Sequence, residues 1–568
     1  MSEAFEGGWF NPAQSGRGVL IDWIPNAQQT GGTFFATVFI FDNAGNPIWL
    51  TLQENWSEFQ FTSSSVGIFR TSAGTWSTPA ALNNQRIGSA TVTLNTCRSI
   101  TISVDMDAAT GLADQTFSLR RLGNMQDQDD CVYNEPFAGC PSFATAAPAS
   151  FGPRACLLPP TLTGDRILRN NITWVVQGKV QLGRDMGSAG GVDADVDIEP
   201  GTLFVTSGQA NAFDYLVVNR GSEIYAEGTR EFPIILTTAN ELPGATRAPA
   251  PGQVGGLVLL GGAPANCFPN CLPGWEPGAA ASFGGPNTAE AREDGSGELA
   301  FVQVRYAGSG VPGRELSAFT FAGVGHDTEL EYLQAFHGAD DGFEWHGGTA
   351  KLRNAVVTCP GDDGFAWSDG WTGKLQFAVV EMRGCAGSNH GFELSNSLVN
   401  PNAAPRSRGT VANVTVWGNS QLAASDAVHI HGGAAGHFYN MMLVGSPRSC
   451  VQIQGTETLA VAQTPGQLTA QGWRTFCPVN ASDGSGVTTG FTAGWFNAPG
   501  ANNAVLSSNP LRPDSVLPIG EAPQADLPDG DAAPSFSDWF ESADYVGAFE
   551  SDRAEDNWMR GWTRPFQP

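Results

Sequence analysis

The chain has 568 residues and carries 29 Lys+Arg against 56 Asp+Glu, a formal charge of −27; this excludes the basic patches that nucleic acids and anionic membrane faces select for. Only 15% of residues are charged, below the roughly 25% of ordinary soluble domains, and 70 Gly with 36 Pro make the chain too turn-rich for a helical protein. With 41% hydrophobic and 10% aromatic residues it can still fill a large core, which excludes disorder.

The start, Met-Ser-Glu-Ala-Phe-Glu-Gly-Gly-Trp, is not a signal peptide, and we expect a mature chain whose leader has been removed. No apolar run reaches the 18 or so residues of a membrane span. Ten Cys fit no zinc spacing, and only three Lys (Lys179, Lys351, Lys374) occur in an acidic, Gly/Asn/Ser/Thr-rich chain. This points to an extracytoplasmic protein with disulfides between neighbouring segments, Cys267–Cys271, Cys359–Cys385 and Cys450–Cys477. Free buried thiols are the alternative.

Residues 1–125 read as short strands, Gly18–Trp23, Thr33–Phe41, Pro47–Leu52 and Ala90–Leu94, broken by turns such as Asp42–Gly45; they predict a small antiparallel barrel or sandwich. The opening Gly8-Trp-Phe-Asn-Pro-Ala-Gln-Ser-Gly-Arg-Gly18 with Asn46–Leu50 resembles a small accessory module of secreted bacterial proteins. Residues 126–160, with three Cys and a Pro/Ala run, predict a Cys-containing linker that a disulfide could staple.

From 161 to about 515 a repeat is predicted. One strand recurs at Ala300–Gly308, Leu330–Gly338, Leu352–Cys359, Leu375–Met382, Val411–Trp417 and Phe438–Val444, with Val302, Tyr332, Asn354, Phe377, Asn413 and Asn440 as equivalent positions. A second follows at Gly342–Trp345, Gly364–Trp367, Gly391–Leu394, Ala427–Ile430 and Cys450–Ile453. Parallel strands without helical crossovers, one coil every 22–36 residues, describe an all-β fold, a right-handed parallel β-helix. Pro/Gly/Asn-rich stretches near 262–298 and 480–535 predict loops. The elements Ile198–Thr202, Tyr215–Ser222, Phe232–Thr238, Gly255–Leu259 and Gly361–Phe365 resemble bacterial secreted or surface β-helix proteins of the pectate-lyase-like superfamily. Residues 516–568, Trp-rich from Trp539 to Trp562, are expected to cap the open end of the solenoid.

All seven His (326, 337, 346, 390, 429, 431, 437) fall within 112 residues. The same window repeats Asp340-Asp341-Gly342 and Asp362-Asp363-Gly364, with Asn389-His390-Gly391 and Ser425-Asp426-Ala427 in the equivalent slots. Alternation places Glu344, His346, Ser368, Glu393, Ser395, His429 and His431 on one outer sheet face. Coils about 4.8 Å apart then stack Asp341, Asp363, His390 and Asp426 in a column. Carboxylates that close cannot all ionise: one rises in pKa, shares a proton or binds a cation.

The column is similar to the active site of polygalacturonase-type glycoside hydrolases, in which an Asp, an Asp-Asp pair, a Gly-His-Gly and a basic pair lie on successive coils. The resemblance implies Asp341, Asp362, Asp363 and His390 as catalytic residues of an inverting hydrolase, Asp363 as acid and Asp341 and Asp362 as bases. Asp340, Glu344, His346, Trp371, Glu393, His429 and His431 would contact substrate. His390 stands in Asn-His-Gly, and His429-Ile-His431 fills the basic-pair slot, so the charge of the substrate is left open. A polysaccharide lyase would need a cationic base, and Lys351, Lys374, Arg383 and Arg406 lie in the window.

Other readings stay open. Asp before Gly at a repeated bend can cap its own turn, giving a structural ladder. Asp193, Asp195 and Asp197 put three carboxylates on one strand face, which suits Ca²⁺ or a solvated edge. His429-x-His431 could bind a transition metal. Trp371 and Trp417, placed outward, either stack on sugar rings or pack in the core. The expected partner is an extracellular polysaccharide or another polymer, Ca²⁺ is the one cofactor considered, and no organic cofactor is expected because no dinucleotide fingerprint, phosphate loop or G-x-S-x-G occurs. The alternative function is a non-catalytic, cation-binding surface, adhesion or assembly protein.

Overall fold

The computed structural model describes residues 5–11, 18–26, 30–72, 83–96, 98–122, 135–276, 282–524 and 539–565, in two compact units that divide at Gly139/Cys140. The middle of the Gly8–Gly18 motif, Cys97, Cys131 and parts of the stretches 262–298 and 480–535 lie outside the described residues.

The first unit is a closed antiparallel barrel of eight strands in sequential order: Gly7–Phe10, Gly18–Pro25, Gly31–Phe41, Pro47–Ser57, Thr62–Ser72, Asn83–Thr96, Ser99–Met106 and Gln115–Arg121. Period-two patterning builds it. Val19, Ile21 and Trp23 point inward while Leu20, Asp22 and Ile24 face solvent. The Asp42 turn forms because its Oδ1 accepts the N–H groups of Ala44 and Asn46 at 2.9 and 2.8 Å.

The second unit is a parallel β-helix. Its 11-stranded sheet runs from Thr161–Leu162 through Phe319–Ala322, Phe343–His346, Asp363–Ser368, His390–Leu394, Asp426–Ile430 and Ser449–Ile453 to Ala481–Asp483, neighbours pairing parallel and in register. An aromatic column fills its inner side: Phe319–Phe343, Phe343–Phe365 and Phe365–Phe392 ring centroids are 4.7, 5.3 and 5.0 Å apart.

The remaining faces are formed by the longer strands Gly297–Arg305, Glu329–Phe336, Lys351–Thr358, Lys374–Glu381, Arg408–Trp417 and Ala435–Val444. Each bends at one left-handed residue: Phe301, Tyr332, Asn354, Phe377, Asn413 and Asn440, with φ of 50, 53, 57, 56, 54 and 54°. Asn tolerates that region best, which explains its recurrence. In the first coil of this series the corner is Phe301, not Val302, because Ala300 pairs with Glu331 and Val302 with Leu333.

Two regions carry more structure than the sequence reading named. Residues 140–160 are not only a linker: Cys140 is bonded to Cys156, and Ala155–Leu157 pairs in parallel with Thr173–Val175, so the solenoid begins before 161. The expected cap is described only in part, over 516–524 and 539–565. Residues 539–565 run along the side of the coils, where the Gln376 amide exchanges two 2.8 Å hydrogen bonds with the Glu541 backbone. Likewise Gln334 binds Arg564 at 2.8 and 2.7 Å, and Asn413 donates to the Tyr545 carbonyl at 2.8 Å. The three expected disulfides, Cys267–Cys271, Cys359–Cys385 and Cys450–Cys477, are all present.

Candidate active site

The glycine that ends each slot, in Asp-Asp-Gly or Asn-His-Gly, is set by packing. A Cβ on Gly342, Gly364 or Gly391 would lie 2.7, 2.7 or 2.6 Å from the methyls of Val357, Val380 or Val416 on the opposite wall. With the glycine turned inward, the preceding residue points out, and in-register pairing aligns Asp363, His390, Asp426 and Ser449. Asp341 joins below, its Oδ1 accepting the Asp363 N–H at 2.9 Å.

The column is wired end to end. His390 Nδ1 lies 2.8 Å from Asp363 Oδ1, and His390 Nε2 lies 2.9 Å from an Arg448 amino group. A guanidinium only donates, so Nε2 accepts and Nδ1 carries the hydrogen toward Asp363. The fully buried Asp426 accepts from Arg448 Nε at 2.6 Å and from Ser449 Oγ at 2.5 Å. Arg448 escaped the sequence reading because it arrives from a loop with no motif of its own.

Burial first, then the neighbouring carboxylates, drive several protons on. Burial and the adjacent Asp363 push Asp341 well above the ordinary range; burial and Glu393 do the same to Asp363. Asp340 is pushed up to about 8 by burial, Glu344 and Asp362; Asp362 keeps surface exposure as a residue, but its carboxyl is raised by local desolvation and by Glu393. Two glutamates go the other way. Burial opposes their charge, but His429, His431 and His390 hold Glu393 down at about 2, and His346 holds Glu344 below the usual range. His390 is lowered by burial, and His431 is lowered by burial to about 4.

Of the seven His, three gather. His390, His429 and His431 stack with ring centroids 4.7 Å apart at each step, around Glu393. His346 forms a separate cluster with Glu344 at 3.1 Å and Asp369 at 3.4 Å, and Ser317 donates to Glu344 at 2.9 Å. The charges of those carboxylates outweigh burial and raise His346 well above its ordinary value. His326, His337 and His437 stand elsewhere, His326 beside Thr349 and His437 beside Thr469.

Trp371 is not outward. It is fully buried against Trp345 and Trp367, with centroids 4.9 and 4.8 Å away, because the core behind the sheet is wide enough to need a third indole. Trp417 is covered too, with the Arg383 guanidinium 3.8 Å over its ring. Asp193, Asp195 and Asp197 are all exposed, Asp195 raised by burial and by Glu223. Among the described residues, two groups bring three candidate ligand atoms within 4.8 Å of one another: Asp340, Asp341 and Asp362, and His390, Glu393 and His429.

Residues 161–496, more than half of the chain, match the family model of the pectate-lyase like beta helix domain. The chain belongs to this family. No curated protein matches the sequence. Solved structures similar to this β-helix include two catalytic domains of GH87 alpha-1,3-glucanases. One, in complex with nigerose, is 11% identical, covers 86% of this chain and 96% of its own, and has a TM-score of 0.24. The other, with tetrasaccharides, is 9% identical over 89% and 99%, with a TM-score of 0.24. At those scores the likeness bears on neither substrate nor site.

Proposed function

We propose that this β-helix is an extracytoplasmic glycoside hydrolase that cleaves a polysaccharide with inversion on the outer face of the 11-stranded sheet. The observation that carries the reading is geometric: the buried Asp363 carboxyl lies 2.8 Å from an imidazole of fixed tautomer, and in that setting burial and Glu393 raise Asp363 while the histidines hold Glu393 down. Neighbouring acids pushed apart in pKa divide into proton donor and proton acceptor. Asp363 gives its proton to the departing glycosidic oxygen. Asp362, exposed and more basic than an ordinary aspartate, takes a proton from the attacking water. Asp341 supports the Asp363 backbone, and His390 orients its carboxyl. Glu344, His346, Asp340, His429 and His431 line the face along which a sugar chain would lie. Four disulfides fit maturation outside a reducing cytosol.

The test is turnover of a glycan library, followed by NMR of the first-formed anomer. Asp363→Asn is expected to lower kcat by roughly 10²–10⁴-fold with the circular dichroism unchanged, and the parent to release the inverted anomer. Full activity of Asp363→Asn on every glycan the parent cleaves sinks the reading.

One observation favours a second reading, a Ca²⁺-supported surface or assembly protein. The oxygens of Asp340, Asp341 and Asp362 converge, and the row Asp193, Asp195 and Asp197 offers further carboxylates. That reading requires EDTA to lower the melting temperature and the glycan library to remain intact.

A further inference from the structure

The barrel of the first unit is packed at one end and hollow at the other, and its strand register shows why. At the packed end the inward residues are aromatic. Trp23 stands opposite Phe34 and Trp56 opposite Gly32, and the Phe34 and Trp56 rings stack with centroids 4.9 Å apart. Further along the same strands the inward residues are aliphatic, Val19 opposite Val38 and Val38 opposite Leu50. Aliphatic side chains reach less far across a closed barrel than indoles do. They enclose a cavity of about 150 Å³ whose walls include Val38, Leu50, Ile68, Ile102, Met106 and Phe117. Native interiors hold few voids larger than a water molecule. An apolar void of this size stays dry and takes up one small apolar molecule.

The polar lining residues are Asp42, Asn43 and Gln115. Asp42 is spent on its turn, where Oδ2 also accepts from Asn46 Nδ2 at 3.0 Å. Asn43 Nδ2 donates to the Gly111 carbonyl and so ties that turn to the loop before Gln115. Among the described residues that line the cavity, none is Lys, Arg or His. We propose that this cavity binds one neutral apolar molecule, a single aromatic ring or an alkyl chain of about six carbons. The walls offer dispersion contacts but no cation to hold a carboxylate or phosphate head. The one charge, Asp42, is itself negative and repels such a head. The site belongs to the first unit and stands whether or not the hydrolase reading does.

The test uses the full chain with toluene and hexanoate as probes, without any glycan. Calorimetry is expected to show toluene bound at one equivalent and hexanoate bound at least ~100-fold more weakly. In a ¹³C-methyl methionine spectrum the Met106 signal, assigned through Met106→Leu, is expected to move saturably with toluene, while that of the exposed Met186 stays in place. Val38→Phe and Ile102→Phe each place a ring in the cavity and are expected to weaken toluene binding at least ~10-fold, with circular dichroism confirming the fold. Phe39→Ala, on the exposed side of the strand that carries Val38, is expected to leave it within about twofold. The methionine spectrum is read on the unsubstituted chain, so it decides the matter even where a filled variant does not fold. The assignment is overturned if toluene does not bind up to its solubility limit, if the Met106 signal does not move, or if both filled variants fold and bind toluene as tightly as the parent. Hexanoate binding as tight as that of toluene overturns the neutral class.

Discussion

Asp340 and Glu393 lie on the same face and are pushed in opposite directions, and each leaves a different mark on stability. The Asp340 carboxyl rises from an ordinary 3.8 to about 8, so over that interval the folded chain keeps a proton that the unfolded chain releases. Its contribution is complete below pH ~4 and is lost as pH rises through about 8. Asp340→Asn is therefore expected to flatten the fall of melting temperature between pH ~4 and ~8; parallel profiles for variant and parent would remove Asp340 as the source. Glu393, held at about 2, stabilises the fold above its unfolded value, and that contribution is lost only as pH falls through about 2. At this scale the sequence was legible where the repeat was strict. Asp363, His390 and Asp426 share one slot and stack as expected, and the outward face of Glu344, Glu393, His429 and His431 follows from alternation. Arg448 was illegible because a single arginine in a loop has no period. Concentration of His in one window marked the right region, yet it could not show that only His390, His429 and His431 converge.

Strands were legible for a simple reason: inward positions repeat as Phe or Trp and outward ones as polar residues, a signal of period two. The equivalent positions of the repeat were placed to within one residue, but that they are left-handed bends was not read: the bend at Phe301 has no side-chain signature, whereas the Asn bends at 354, 413 and 440 do. Trp371 shows where local pattern fails. It follows the strand end Ser368 by a short turn, and nothing nearby says that the chain folds its indole back between Trp345 and Trp367. As a fully buried side chain it is structural: Trp371→Ala is expected to cost about 3–5 kcal/mol by denaturant unfolding, well beyond a surface substitution. Cys359–Cys385 ties successive coils across a separation of 26 residues. Its removal by paired Ser substitution is expected to cost about 2–4 kcal/mol in the same measurement.

Across the whole molecule, the least legible element was the tail. Buried Gln334 and Gln376 look out of place on strands that face a core, and their partners, Arg564 and Glu541, lie 230 and 165 residues away. A plain solenoid is stabilised coil by neighbouring coil, so segments can open independently. Here residues 539–565 touch coils from Arg230 to Asn440, through Arg230 with Trp558, Gln334 with Arg564, Arg353 with Trp539 and the Asn440 carbonyl with Gly547. Deleting 539–568 is expected to lower the melting temperature and broaden the calorimetric transition; an unchanged, equally sharp transition would show that the coils are cooperative without the tail.

The same arrangement orders events in time. Every described coil precedes residue 539 in the chain, so the stack can assemble while the Gln334 and Gln376 amides still lack the backbone partners that residues 539–565 give them. For that interval the flank leaves those amides open, and residues 539–565, made after the coils, are what covers them.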